Sequence, residues 1–248
     1  MARCSIIIPA LNEAACIGLA LRNLAQLHPP PLEIIVVDGG STDGTQNAIA
    51  QEIPHSPVPI TVISHAPGRA VQMNAGAKAA TGDLLCFLHA DTWVPRDIVA
   101  VMAQTLTDPQ VVAGGFISLM QGRTVTRWGT SLHNYLKTYY APLLFRPHLF
   151  IKGLRLLFGD QVMFCRSQAF WACGGFDPAL PIMEDGDLCL QLAHLGRIRL
   201  VNRVVCSSDR RVAQWGPLRA NLIYLMIGLL WGFGVPTPWL KRFYEDVR

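Results

Sequence analysis

The sequence predicts an α/β fold with a mainly parallel sheet flanked by helices, and three observations support this prediction. Short runs rich in Ile, Val and Leu alternate with segments of helical periodicity over the first hundred residues. The 248 residues suffice for one large core and are few for two. Polar and acidic residues follow three of the apolar runs, where sheets of this kind bind their ligands.

The first half contains four predicted strands, at residues 4–8, 33–37, 59–64 and 84–88. Four helical patterns follow them, at residues 13–27, 43–51, 70–80 and 96–106. Pro95 suits the first turn of the last helix, because its missing N–H is not needed there. This alternation predicts parallel strands with helices on both faces of the sheet.

The second half is less regular, and its predicted strands are 111–120, 159–165, 198–202 and 204–207. Its predicted helices are 126–139, 167–173 and 184–195, the last ended by Gly196. Two further helical segments, 218–235 and 239–247, are interrupted by Pro236 and Pro238. We therefore predict a main domain over residues 1–210 and a C-terminal helical appendage over 211–248.

The composition favours small anionic ligands or anionic lipid over nucleic acid. The net charge of +4 is spread along the chain, with no dense basic run. Apolar residues make up 51% and the mean hydropathy is +0.30, which indicates a large core or a surface that meets lipid. Seven cysteines without a C-x-x-C pair are typical of a reducing compartment. Since the first strand starts at Cys4, without room for a signal peptide, we expect a cytoplasmic location.

Two common nucleotide-binding classes are disfavoured. After the first strand the sequence reads Pro-Ala-Leu-Asn-Glu over residues 9–13, where a dinucleotide enzyme would carry G-x-G-x-x-G. The phosphate-binding pattern G-x-x-x-x-G-K-[ST] does not occur in the sequence.

An ordered set of motifs over residues 5–200 resembles family 2 glycosyltransferases. The segments are SIIIPALNE (5–13), IVVDGGSTDGT (35–45), GR (68–69), NAG (74–76), ATGD (80–83), FLHAD (87–91), GGF (174–176), EDGDL (184–188) and then Gly196. The resemblance implies a GT-A fold and an inverting transfer of sugar from a nucleotide diphosphate donor to a hydroxyl acceptor.

The resemblance assigns nucleotide-sugar binding to positions at three strand ends and one helix start. They are Pro9, Asn12, Glu13, Asp38, Arg69, Asn74, His89, Ala90 and Asp91. The Asp38 carboxylate could accept the imide N–H of uracil or the N1–H of guanine, so a UDP-sugar is expected and a GDP-sugar is the alternative. The structural alternative is that Asp38 only caps its own turn.

His89-Ala90-Asp91 stands where the resembled family usually has Asp-x-Asp, which holds a divalent cation against the donor diphosphate. The resemblance makes Asp91 a ligand, and His89 is the second candidate because Mn²⁺ accepts imidazole more readily than Mg²⁺. Mn²⁺ or Mg²⁺ is therefore the expected cofactor. Alternatively, His89 is an ordinary histidine at a strand end.

The resemblance also assigns the acceptor side of the reaction. Asp185 is the expected base, since inversion by single displacement needs a group that takes the acceptor's proton. Glu184 would position the acceptor or its loop, and Gly174, Gly175 and Phe176 would form the acceptor loop. Capping of a helix N-terminus is the structural alternative for the acidic pair.

Several interpretations remain open at this point. A catalytically silent nucleotide-sugar-binding module and a nucleotidyltransferase are the alternative functions. The acceptor could be a lipid, a carotenoid-like compound or an arsenosugar precursor. Arg210 and Arg211 are interpreted as a solvated basic loop. Residues 222–235 are too short to span a bilayer, but with 143–158 they suit peripheral contact with an anionic membrane on its cytoplasmic face.

Overall fold

Branched apolar residues form the strands of one mixed sheet in the computed structural model, which describes residues 3–122 and 124–244. The strands are β1 (Cys4–Ala10), β2 (Glu33–Asp38), β3 (Ile60–Ser64), β4 (Leu84–Phe87), β5 (Thr92–Trp93), β6 (Val111–Gln121), β7 (Met163–Arg166) and β8 (Arg197–Ser208). Their order across the sheet is β3-β2-β1-β4-β7-β6-β8-β5.

Helices cover both faces of this sheet. They are α1 (Ile17–Leu24), α2 (Thr45–Glu52), α3 (Arg69–Ala79), α4 (Ile98–Thr105), α5 (Trp128–Phe145), α6 (Pro147–Ile151), α7 (Ser167–Ala172), α8 (Glu184–Leu192), α9 (Arg210–Trp215), α10 (Pro217–Gly232) and α11 (Thr237–Leu240). Short 3₁₀ turns lie at Ile53–His55, Gly159–Gln161 and Lys241–Phe243.

The direction of the strands divides the sheet into two halves. β3, β2, β1 and β4 are parallel, as the alternation of strand and helix predicts. β7 runs antiparallel between β4 and β6, and β6 pairs parallel with β8. The carboxyl ends of β1, β2 and β4 therefore share one edge, which collects the loops that carry the predicted ligand residues.

The core lies on both sides of the sheet because successive strand residues point to opposite faces. Ile6 and Ile8 pack with α1 and α4 in one buried cluster, and Ile7 packs with α3 and α8 in another. Parallel strands covered on both faces read as continuous apolar runs, which explains why β1 and β2 were clear in the sequence.

The structure differs from the predicted elements in several places. Residues 198–202 and 204–207 belong to one strand, β8, with a bulge where the register passes from Val201 to Val204. Residues 159–161 form a 3₁₀ turn, so β7 begins only at Met163. α5 continues past residue 139 to Phe145. The predicted helix 239–247 is observed only as α11 and a turn, and residues 245–247 lie outside the described part of the chain.

The predicted helix 13–27 is shorter in the structure, from Ile17 to Leu24, and backbone N–H groups just before it bind the segment after β2. The Glu13 N–H donates to Thr45 Oγ1 at 2.8 Å and the Ala14 N–H donates to Asp43 Oδ2 at 3.0 Å. These bonds connect the loops after β1 and β2 at the ligand edge.

The C-terminal helices pack beside the second half of the sheet. Val212, Trp215 and Ala220 form a buried cluster with Met120 of β6, and α10 contacts α5. The proposed boundary at residue 210 remains a prediction. Within residues 3–122 and 124–244, no helix is both long enough and apolar enough to cross a bilayer.

Candidate active site

A cleft of about 640 Å³ opens at the ligand edge of the sheet, within the size range of small-molecule sites. It brings together many of the predicted residues: Pro9, Glu13, Arg69, His89, Ala90, Asp91, Glu184 and Asp185. The other predicted residues, Asn12, Asp38, Asn74, Gly174, Gly175 and Phe176, lie outside its lining. The roles assigned to both groups remain predictions.

The loops after β1 and β2 are joined by hydrogen bonds around Asn12. The Asn12 N–H donates to Ser41 Oγ, and the Thr42 N–H donates to Asn12 Oδ1, both at 2.9 Å. Asn12 has a φ of 57°, in the left-handed region that asparagine tolerates better than most residues. Hydrogen bonds within the protein therefore fix the conformation of the loops after β1 and β2.

Asp38 ends β2 fully buried, and its carboxylate accepts hydrogen bonds from its own turn. The Ser41 N–H lies 3.2 Å from Oδ1, the Ser41 hydroxyl also donates to Oδ1, and Gln46 Nε2 donates to Oδ2 at 2.6 Å. The turn-capping role is thus present in the structure. A role in binding the nucleotide base would be additional to it.

Arg69 and Asn74 both lie on α3 but contact different parts of the protein. Arg69 Nε pairs with Glu184 Oε1 at 2.8 Å inside the cleft. Asn74 holds the loop after α7, because its amide donates to the Phe176 carbonyl at 2.7 Å and its oxygen accepts the Phe176 N–H at 3.0 Å.

The predicted acceptor loop is partly a core element. Phe176 is buried and packs against Phe87 and Phe170, with ring centroids 4.9 and 5.6 Å apart. Gly174 and Gly175 have φ values of 91° and 74°, which glycine adopts at little cost. The loop therefore needs its glycines to turn the chain so that Phe176 enters the core.

Asp91 and Glu13 share one cation, Arg210. Arg210 Nη2 lies 2.8 Å from Asp91 Oδ2 and 3.0 Å from Glu13 Oε2. The interpretation of residues 210 and 211 as a solvated basic loop is wrong, because Arg210 begins α9 and its guanidinium lies in the cleft. A cation between two acids that lie far apart in sequence cannot be recognised from local pattern alone.

His89 lies against Gly159, deep in the cleft. Its buried Nε2 has no hydrogen-bond partner among the described residues. A Cβ on Gly159 would lie 2.3 Å from Nε2, closer than side-chain atoms approach one another. Glycine is therefore required at position 159 for the imidazole to occupy this place.

Asp185 is held at the start of α8 by the same glycine. The Gly159 N–H donates to Asp185 Oδ2 at 2.8 Å. Met183, which precedes the helix, has a φ of 66°, a conformation that bulky residues rarely adopt and that is concentrated at functional sites. The backbone turn at Met183 starts the helix so that Glu184 and Asp185 both line the cleft.

Burial and neighbouring charges shift the pKa values of Asp185 and His89. Burial, followed by the negative charge of Glu184, raises the pKa of Asp185 to about 7, although Arg69 and the Gly159 N–H act in the opposite direction. Burial, with the nearby charge of Arg69, lowers the pKa of His89 below its usual range. Asp185 is thus a carboxylate able to hold a proton near neutral pH, the property of a general base.

Two groups of cleft residues were missed by sequence reasoning. The C-terminal segment contributes Arg211 and Lys241, both over the ring of Tyr244, at 4.2 and 5.5 Å from the centroid. Lys137 of α5 lies 3.7 Å over Phe158, and burial lowers its pKa to about 8. The doublet Arg210-Arg211 was the one sequence signal available.

The predicted metal ligands fit a divalent cation by their chemistry. His89 offers a buried nitrogen without a partner, and Asp91 offers a carboxylate. Within the described residues, no three His, Cys, Asp or Glu side chains cluster as a complete metal site. A cation held here would therefore need further oxygen ligands, such as those of a diphosphate.

Comparisons with known proteins identify the family to which this fold is similar. Residues 5–172 match the model for Glycosyl transferase family 2. A pre-mycofactocin glycosyltransferase of Mycobacterium tuberculosis is 28% identical over 212 residues, which cover 84% of this chain and 43% of that protein. A PGL/p-HBAD biosynthesis glycosyltransferase of Mycobacterium bovis is 33% identical over 186 residues, covering 74% and 66%. This chain thus spans less than half of the first relative.

Solved structures share the fold across nearly the whole chain. The mannosyltransferase PcManGT from Pyrobaculum calidifontis, in complex with GDP-Man and Mn²⁺, has a TM-score of 0.71 at 20% identity and covers 99% of this chain and 65% of its own. Glucosyl-3-phosphoglycerate synthase from Mycobacterium tuberculosis, with Mn²⁺, UDP and glucosyl-3-phosphoglycerate, has a TM-score of 0.64 at 22% identity and covers 95% and 81%. These similarities confirm the predicted GT-A fold.

Proposed function

Because this chain belongs to glycosyl transferase family 2, we propose that it transfers a sugar from a nucleotide diphosphate donor to a hydroxyl acceptor with inversion. The observation that carries the proposal is Asp185, a carboxylate with a pKa of about 7 that lines the cleft at the ligand edge of the sheet. A UDP-sugar is the expected donor and a GDP-sugar the alternative.

In the proposed step Asp185 accepts the proton of the acceptor hydroxyl. The acceptor oxygen forms a bond to the anomeric carbon while the bond from that carbon to the diphosphate oxygen breaks. The nucleoside diphosphate leaves with the electron pair of that bond. A base with a pKa near the working pH suits this transfer, because it is partly ionised and still basic enough to take the proton.

The cationic side of the cleft is proposed to receive the diphosphate. Arg210, Arg211 and Lys241 line it together with Arg69. Guanidinium groups bind phosphate oxygens through several N–H donors and neutralise the charge that develops on the leaving group. A divalent cation held by Asp91 and His89 would supply Lewis-acid stabilisation of the same charge when bound.

A screen of nucleotide sugars tests this proposal. UDP-glucose, UDP-N-acetylglucosamine and GDP-mannose are added to the protein with Mn²⁺, Mg²⁺ or EDTA, and melting temperature and donor hydrolysis are measured. One donor should raise the melting temperature, since ligand at a hundredfold excess over its Kd stabilises by about 2.7 kcal/mol. Binding without hydrolysis or transfer would favour the silent binding module, and no binding at all would overturn the proposal.

We also propose that helices α5, α6 and α10 touch an anionic membrane surface, which would place the protein on the cytoplasmic face. The exposed apolar side chains on these helices, or directly after them, are Leu132, Leu136, Leu143, Leu144, Ile151, Leu218, Leu222, Leu225 and Phe233. Arg146, Lys152 and Arg219 are exposed among them. Apolar surface of this extent with basic neighbours is typical of interfacial contact.

Two residues of the predicted membrane segments do not contribute to this surface. Trp231 is directed inward against Gly186, and Arg155 donates to the carbonyls of Phe150 and Leu154. Ile151, with 82% of its surface exposed, is therefore the sharper probe.

Cosedimentation with phosphatidylserine vesicles at low and high salt tests the membrane proposal. Binding should weaken with salt, because basic residues contribute about 1 kcal/mol each near an anionic surface. Ile151→Asp should weaken vesicle binding at every salt concentration. Ile53→Asp is the control and should not weaken it, because Ile53 is also exposed but lies outside α5, α6 and α10. Protein that stays in the supernatant at low salt would overturn the proposal.

A further inference from the structure

A second cavity of about 140 Å³ adjoins the reaction cleft, between helices α5, α8 and α10. We call it the side chamber. Lys137, Phe158, Met183 and Gly228 line both the side chamber and the cleft. The two cavities therefore share a common wall.

The side chamber is lined mainly by carbon. Its walls include Ala141, Phe145, Leu156, Leu229 and Trp231. Apolar cavities of about 150 Å³ exclude water and bind a group the size of benzene. A sugar or a diphosphate would lose hydrogen bonds to water here and would find few polar groups to replace them. The lining thus selects against the polar parts of a nucleotide sugar.

The shared wall flanks the proposed base on two sides. Met183 directly precedes Glu184 and Asp185, and its left-handed backbone turns the chain into α8. Phe158 directly precedes Gly159, whose N–H binds Asp185 at 2.8 Å. A group attached to a hydroxyl at Asp185 therefore lies next to the residues that separate the two cavities.

We propose that the side chamber binds the apolar part of the acceptor, so that the acceptor is a hydroxyl compound with a ring-sized apolar group close to the reacting oxygen. This inference rests on the proposed function, because it assigns the acceptor's chemistry to the same site. Burial of such a group contributes affinity through the hydrophobic effect and leaves its hydroxyl at the polar boundary beside Lys137.

Gly228 offers a direct way to close the chamber. A Cβ at this position would meet no atom within 4 Å, although the residue lines both cavities. Gly228→Leu therefore adds a side chain to open space at the shared wall. Gly129→Leu is the matched control, since Gly129 is also helical, also has open space at its Cβ, and lies outside both linings.

The probe is benzyl alcohol, which combines a hydroxyl with a six-membered apolar ring, and glycerol is the polar comparison. Saturation-transfer NMR on the ring protons gives the Kd for the intact protein and both variants. We expect a millimolar Kd in the unchanged protein and in Gly129→Leu, and a loss of about tenfold or more in Gly228→Leu, equivalent to 1.4 kcal/mol or more. Glycerol should give no saturable signal.

Calorimetry with UDP or GDP and Mn²⁺ on the unchanged protein separates the two proposals. If UDP or GDP binds but benzyl alcohol does not, or if Gly228→Leu binds it as the unchanged protein does, the side-chamber proposal is overturned and the proposed function stands. If neither UDP nor GDP binds, both are overturned. Should Gly228→Leu fail to fold, Gly228→Ala keeps the test, because its added methyl should still weaken benzyl alcohol binding by a measurable factor.

Discussion

The two ends of the ligand edge of the sheet are built in different ways. At the β1–β2 end, several hydrogen bonds hold Asn12 and Asp38, and the Asp38 carboxylate accepts bonds from both Ser41 and Gln46. At the α8 end, Glu184 and Asp185 are also buried, but within the described part of the chain Asp185 accepts one backbone hydrogen bond and Glu184 pairs with Arg69. One end is rich in hydrogen bonds and the other is poor in them.

This difference suits different tasks. Saturated hydrogen bonds hold a recognition surface in one conformation, which favours binding of a rigid ligand such as a nucleotide base. A buried carboxylate with few donors keeps its proton more readily, which is what a base near neutral pH requires. Within one sheet edge, the protein thus separates a region suited to binding from a region suited to proton transfer.

The largest expected effect is at the α8 end. Asp185→Asn keeps the shape of the side chain but cannot accept the acceptor's proton, so turnover should fall by about 10² or more while UDP affinity persists. Asp97→Asn, at an exposed ion pair with Arg203, is the control and should leave turnover unchanged. If turnover in Asp185→Asn is near normal, Asp185 is not the general base.

The next effect tests the β1–β2 end. Asp38→Ala should weaken UDP binding by about tenfold to a hundredfold, because hydrogen bonds to a charged group contribute about 1.5–3 kcal/mol. Ser41→Ala removes a bond of the same turn but keeps the carboxylate, so calorimetry should show a smaller loss there. Equal losses in the two variants would leave Asp38 as a turn cap only.

A smaller effect is expected between the two ends, at Asp91. If Asp91 helps to hold a divalent cation, Asp91→Asn should abolish the difference between UDP affinity in Mn²⁺ and in EDTA, a difference of about tenfold, or 1.4 kcal/mol. Isothermal titration in both buffers measures it. A native protein whose UDP affinity is the same in both buffers would count against the predicted metal site.

The smallest effect is a change in pH dependence. Since Asp185 acts only when ionised and its pKa is raised to about 7, kcat/KM should rise with pH through about 7. Glu184→Gln removes the negative charge that raises this pKa, so the rise should move to lower pH. Glu52→Gln, which breaks an exposed pair with Arg22, is the control. If Glu184→Gln does not shift the pH profile of kcat/KM, ionisation of Asp185 is not the cause of the pH dependence.

The comparison also explains which parts of the site the sequence revealed. The loops after β1 and β2 are local motifs, and each strand before them is a continuous apolar run, so their place at one edge followed from topology alone. Asp185 and Glu184 were identified by their resemblance to a family motif. The raised pKa of Asp185 was not predictable, because its largest cause is burial beneath segments that lie far away in sequence.

The sequence by itself determined the parallel half of the sheet and the motifs at its edge, since apolar runs, turn residues and helix starts are local properties of the chain. Only the tertiary structure decided that Arg210 pairs with Asp91, that Gly159 accommodates His89, and that Gly228 borders a second cavity. The physical reason is that charge pairing, desolvation and cavity shape depend on which distant segments pack together, and spacing along the chain does not encode those contacts locally.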